Sequence, residues 1–133
     1  MRYILLALLL GSCAAAQGGG APTFKGVDIR SCYDGDTCKI TVRLAGINAP
    51  EIKGKCPEER ALAIKSRDRL RELVRSANRK PDVTILDVGK YNRLIVRVTL
   101  PDGRDAGSTL VAEGLARGYD WRNGRKSWCP EGR

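Results

Sequence analysis

Between two stretches rich in β-branched residues lies one segment, Pro57 to Asn78, in which Ala63, Ser66, Leu70, Leu73, Val74 and Ala77 recur at helical spacing while Arg and Lys fill the opposite face. Pro57 followed by Glu58 and Glu59 suits a helix first turn, so the spacing predicts a single amphipathic helix ending near Asn78. The flanking sequence has a different period. Phe24 to Ser31 reads as a strand, Asp34-Gly35 as a turn, and Thr37 to Ile47 as a β-branched run with partial alternation. Beyond the helix, Val83 to Asp87 and Leu94 to Leu100 read as strands, Pro101-Asp102-Gly103 as a turn, and Ala106 to Glu113 as a short helix stopped by Gly114. After Tyr119 the chain is polar and irregular. The expected class is α+β, mainly β.

With 133 residues and 42% hydrophobic content, the chain is expected to form one small domain. Lys and Arg number 24 against 15 Asp and Glu, a formal net charge of +9, so the surface should attract polyanions, nucleic acid or anionic membrane first among them. The absence of histidine excludes serine-histidine triads and histidine-ligated metal chemistry.

The N-terminus reads as an export signal spanning residues 1–16: Met1-Arg2, an apolar run from Tyr3 to Leu10 too short to span a bilayer, then small residues through Ala16. Two processing readings stand side by side. Ala14-Ala15-Ala16 suits ordinary signal peptidase, whereas Leu10-Gly11-Ser12-Cys13 looks like a bacterial lipobox with Cys13 lipidated, the reading that the position of Cys13 at the end of the apolar run favours. Residues 17–23 would then be a flexible linker, and residues 24–133 the folded domain. The expected location is outside the cytoplasm: periplasmic, membrane-anchored as a lipoprotein, or secreted.

Cysteine usage agrees with export. Cys32, Cys38, Cys56 and Cys129 form an even set in a small chain, which favours two disulfides over free buried thiols, and no C-x-x-C knuckle suggests zinc. Of the three possible pairings the preferred one joins Cys32 to Cys38 around the Asp34-Gly35-Asp36 turn, and Cys56 to Cys129 between the helix start and the C-terminal tail.

Certain charged residues form a set suited to phosphodiester hydrolysis, which needs an activated water and positive charge to meet the negative charge developing on phosphorus. Glu51 follows Pro50 in an irregular segment after a strand, where a carboxylate can reach into a cleft. Arg43 lies on the preceding strand and Arg93 opens another after Lys90-Tyr91-Asn92; guanidinium groups clamp phosphate bidentately. Asp36, after a glycine turn, is a hard-cation ligand type.

In this order and at these spacings, Asp34-Gly35-Asp36-Thr37, Arg43, Asn48-Ala49-Pro50-Glu51 and Lys90-Tyr91-Asn92-Arg93 resemble the staphylococcal nuclease (thermonuclease) family, from about Phe24 to Trp121. The resemblance implies an OB-fold-like five-stranded barrel with two helices, which the order strands, helix, strands, helix also suits. It implies a calcium-dependent nuclease acting on DNA and RNA with little sequence preference, and a monomer is expected. Glu51 would be the general base, Arg43 and Arg93 the transition-state clamps, and Asp36, Asn48 and the Ala49 carbonyl the Ca2+ ligands. Lys90 and Tyr91 would hold a terminal phosphate, and Tyr119 and Trp121 a base.

Two departures from the family stand out. Asn48 occupies a position where the family usually carries a second metal-binding Asp, which keeps an oxygen ligand but removes a negative charge. Only six residues separate Asp36 from Arg43, where the family usually has room for a hairpin, so the barrel must tighten there and the hairpin between its second and third strands is shortened. The alternatives are a nucleic-acid-binding OB module without catalysis, and a disulfide-stapled basic protein that binds anionic polysaccharide or lipid.

Overall fold

The computed structural model describes residues 29–120 and 122–131, with residues 29–31 as backbone only. The export signal, Cys13, the linker, the first half of the Phe24 to Ser31 strand and Trp121 lie outside the described residues. Among the described residues the elements follow as β1 (Ile29–Cys32), β2 (Cys38–Ile40), β3 (Val42–Leu44), β4 (Ile47–Asn48), α1 (Pro57–Ser76), β5 (Asp82–Val88), β6 (Leu94–Thr99), α2 (Ala106–Ala112) and β7 (Arg117–Gly118). No described helix is long and apolar enough to cross a membrane.

The α+β, mainly β class stands, but no closed five-stranded barrel is found among the described residues. The strands form three small sheets: β1 with β2, β3-β6-β5, and β4 with β7. The expected Thr37 to Ile47 run breaks into β2, β3 and β4, and the break has a local cause. The interval between Asp36 and Arg43 is too short for β2 to fold back on itself, so the chain leaves the β1–β2 hairpin at Thr41 and runs parallel to β6, with Val42 opposite Leu94 and Leu44 opposite Val96. Thr41 O accepts the amide of Leu94 at 3.2 Å, which fixes the switch. Gly46, at φ +67, then turns the chain into β4.

β6 is the centre of the molecule. Its alternation buries Leu94, Val96 and Val98, and these pack with Ile47, Leu73, Leu100, Ala106, Leu110 and Ala116 into one core. α1 joins this core through Leu73, with Leu70 packed at its edge, and it also buries Ala63 and Ser66. β5 pairs antiparallel with β6 and carries a bulge between Ile85 and Asp87. α2 is capped by Asp105, whose Oδ1 accepts the Ser108 amide at 2.7 Å, and it stops where Gly114 adopts φ +71. An ion pair ties the helices together: Arg69 donates to both Glu113 oxygens at 2.7 Å.

The structure joins Cys32 to Cys38 and Cys56 to Cys129, the pairing the sequence favoured. The second bridge returns the polar tail to the start of α1, beside the loop that carries Glu51.

Candidate active site

Arg43 points from β3 towards the turn that precedes β4. Its Nη1 donates to the carbonyls of Leu44 (2.8 Å) and Ile47 (3.1 Å), and Nη2 donates to Ile47 O at 3.0 Å, so the guanidinium is held before any ligand arrives. Its carbon lies 5.8 Å from the ring centre of Tyr119, itself fixed by donation from its amide to Gly46 O at 2.9 Å.

Arg93 follows the turn Lys90–Asn92, where Tyr91 and Asn92 both adopt left-handed backbone, φ +63 and +55. Asn tolerates that region, but for Tyr it stores strain of order 1 kcal/mol or more. The reversal stacks cations about one ring: Lys90 Nζ lies 5.1 Å and the Arg93 guanidinium 5.7 Å from the Tyr91 centroid, with Tyr91 67% exposed. Arg93 Nε is buried and has no hydrogen-bond partner among the described residues. A buried donor left so costs about 1–3 kcal/mol, a cost that a ligand able to accept the hydrogen bond would remove.

Glu51 opens the loop before α1, and a buried carboxylate organises that loop from below. Glu59, in the first turn of α1, accepts the amides of Glu51 (3.3 Å) and Lys55 (3.0 Å). Gly54 passes so close that a Cβ there would meet the Glu59 carboxyl carbon at 2.4 Å. Cys129 Sγ lies 3.8 Å from Glu59 Oε2, and as a disulfide sulfur it has no proton to donate. Cys56, Glu59 and Cys129 gather within 4.8 Å, but two of the three are joined to each other, so the cluster is structural and holds no metal.

These elements enclose one cleft of about 1020 Å³ lined by Arg43, Glu51, Asp87, Lys90, Tyr91, Arg93, Tyr119 and Arg125. Four cationic side chains there face two carboxylates. The crowding is felt at Arg43, whose guanidinium is held below its ordinary pKa by burial first and then by the charges of Arg125 and Arg93, with Tyr119 opposing. An anion in the cleft would relieve that repulsion. Arg43, Glu51, Lys90, Tyr91, Arg93 and Tyr119, all singled out from sequence, thus share one cavity.

The expected calcium ligands divide. Asn48, 7% exposed on β4, and Ala49 line an adjoining cleft together with Arg43, Glu51 and Arg93, so oxygen donors suited to a hard divalent ion are near the arginines. Asp36 is exposed on the β1–β2 turn, where its Oδ1 accepts the Thr37 hydroxyl at 3.0 Å, and it lines neither cleft. The short interval is the cause, because the chain switches sheets between Asp36 and Arg43.

Sequence reasoning missed Arg125, Asp87 and Glu59. Arg125 Nη1 donates to Glu51 Oε1 at 2.8 Å across 74 positions of sequence. The signal for it was the Cys56–Cys129 pairing: Cys56 stands five residues after Glu51, so a bridge from Cys129 has to bring Arg125 into the neighbourhood of that carboxylate.

No curated protein and no solved structure matches the chain. Residues 41–128 do match a family model described as staphylococcal nuclease homologue. The matched span starts after the Asp34–Asp36 turn and contains Arg43, Asn48, Ala49, Glu51, Lys90, Tyr91, Arg93, Tyr119, Trp121 and Arg125. By a match over most of its length, the chain belongs to the staphylococcal nuclease homologue family.

Proposed function

We propose that the protein is a nuclease that hydrolyses phosphodiester bonds of DNA and RNA with little sequence preference. The observation that carries this reading is the convergence of Arg43, Arg93 with its unpartnered buried Nε, and Glu51 on one cationic cleft. Family membership points the same way. In this reading Glu51 takes a proton from the attacking water, while Arg43 and Arg93 meet the charge that grows on the phosphoryl oxygens. Arg43 is preset by three hydrogen bonds to backbone carbonyls, so little reorganisation is needed as the transition state forms. Lys90 and Tyr91 hold a terminal phosphate, and Tyr119 and Trp121 stack a base. Asn48 and the Ala49 carbonyl would hold calcium, which when bound supplies positive charge beside the phosphate, and Asp36, exposed on its turn, would not join them. Because Asp36 stands on the turn and Asn48 is neutral, that affinity should be weak.

Export is part of the proposal, supported by two disulfides in so small a chain, with Cys13 as lipid anchor and a monomer as the working form. A second reading, a nucleic-acid-binding module without catalysis, is favoured by one observation: Asp36 lies outside the cleft. Incubating the purified mature protein with single-stranded DNA, duplex DNA and RNA, in calcium or in chelator, separates the two. Cleavage in calcium that stops in chelator is expected of the nuclease; retention of DNA without cleavage would establish the binding module instead.

A further inference from the structure

The tail beyond β7 has no helix or strand among its described residues, and most of it is exposed, yet it is tied down at several points. Arg117 donates from Nη1 to Ser127 O at 2.9 Å and lays its guanidinium 3.9 Å from the Trp128 ring centre. The Cys129 amide donates to Ser127 Oγ at 3.1 Å, and the Cys129 sulfur is bonded to Cys56 at the foot of α1. Gly124, at φ +65, reverses the chain between these anchors and the Asp120–Asn123 turn, where Asn123 N donates to Asp120 O at 3.0 Å. Anchors on both sides of the reversal fix where Arg125 stands.

What they deliver is a guanidinium whose ion pair with Glu51 is half exposed, with side-chain accessibilities of 51% and 61%. A pair in that setting stabilises a fold very little, so stability does not account for its placement. Its position does suggest a use. Arg125 lines the cleft that holds Arg43 and Arg93, and it also lines a neighbouring cleft of about 750 Å³ that contains Arg117 and Lys126, so it stands where the two meet. It is close enough to Arg43 for its charge to depress that side chain's proton affinity.

We propose that Arg125 is a third substrate-binding arginine of this cleft, supplied by the disulfide-anchored tail: it covers the Glu51 carboxylate in the free protein and transfers to a phosphate of the entering nucleic acid strand, uncovering Glu51. The inference rests on the phosphodiester reading and adds a residue to it. A guanidinium can make the exchange at low cost, because it trades one charge-assisted hydrogen bond to a carboxylate oxygen for another to a phosphate oxygen. Phosphates beyond the scissile one would then follow the strand towards Arg117 and Lys126.

The test is binding of a fluorescent single-stranded oligothymidylate in chelator, followed by anisotropy over a range of salt, for the unmodified protein, Arg125→Gln and Arg125→Lys, with cleavage in calcium measured in parallel. Arg125→Gln is expected to weaken binding several-fold and to lower the steepness of log affinity against log salt by about 0.7, the loss of one phosphate contact on a single strand. Arg125→Lys should keep the slope, because it keeps the charge. Unchanged affinity and slope in Arg125→Gln would overturn the inference, and would do so equally if cleavage fell, since Arg125 would then act only through Glu51. Binding without cleavage by the unmodified protein would defeat the nuclease reading while leaving Arg125 as a phosphate contact. No binding by the unmodified protein would remove both.

Discussion

Arg93 and Glu51 stand at opposite ends of the charge balance in the cleft, and they make separable predictions. Arg93→Ala should lower kcat by roughly a hundred- to a thousandfold, the effect of removing one preorganised transition-state donor, and should leave the fold intact because it also removes the unpartnered Nε. Glu51→Gln should abolish turnover at every calcium concentration, with an unchanged thermal melt. Wild-type kcat in either variant would take that residue out of the mechanism. Asn48 allows a gain of function to be sought. Asn48→Asp should tighten calcium binding in a calorimetric titration, because carboxylate count tunes affinity for this ion, while the metal-free variant should melt lower, since it places a charge on a residue only 7% exposed. Unchanged calcium affinity would mean that position 48 does not reach the ion. The types of these residues and their order were legible in the sequence. That Arg93 Nε is buried without a partner was not, because it depends on how the Lys90–Asn92 turn packs.

At the scale of elements, α1 does two jobs from one end to the other. Its first turn places Glu59 under the Glu51–Lys55 loop, which leaves no room for a Cβ at Gly54 unless the Glu59 carboxylate or the loop shifts. Gly54→Ala should therefore lower both melting temperature and kcat, as the loop and the Glu59 carboxylate must move apart and weaken the hydrogen bonds to the Glu51 and Lys55 amides; an unaffected kcat would show that these contacts do not position Glu51. Further along, Arg69 grips Glu113 beyond the end of α2 and holds that carboxyl below the ordinary carboxylate range, chiefly through its hydrogen bonds. A depressed carboxyl contributes stability above its unfolded pKa and loses it as pH falls through the folded value. Glu113→Gln should accordingly melt slightly lower than the unmodified protein at neutral pH, and the difference should close in acid below the depressed value. The helices and the two long strands could be read from period and caps. The β2, β3 and β4 breaks could not, since nothing at Thr41 signals that the chain will pair with the distant β6, Val42 opposite Leu94.

For the molecule as a whole, the two disulfides differ in what they close. Cys32–Cys38 spans 6 positions and Cys56–Cys129 spans 73, so on the chain-entropy account the second restricts the unfolded chain by about 4 kcal/mol against about 2 for the first. Replacing Cys56 and Cys129 by Ser should thus cost more in denaturant melts than replacing the hairpin pair; equal losses would mean that the unfolded tail is already held near α1. Sequence by itself determined what depends on local pattern and composition: the mainly β, α+β class, the extent of α1 from Pro57, a basic cleft-forming residue set, and the preference for this cysteine pairing. Only the tertiary structure decided what depends on distant segments meeting. The short interval between Asp36 and Arg43 goes with three small sheets among the described residues and keeps Asp36 out of the cleft, because a chain with too few residues to turn back must pair elsewhere. Arg125 reaches Glu51 for the converse reason: a covalent bridge at Cys129 brings an otherwise patternless tail to a place that no local propensity could specify.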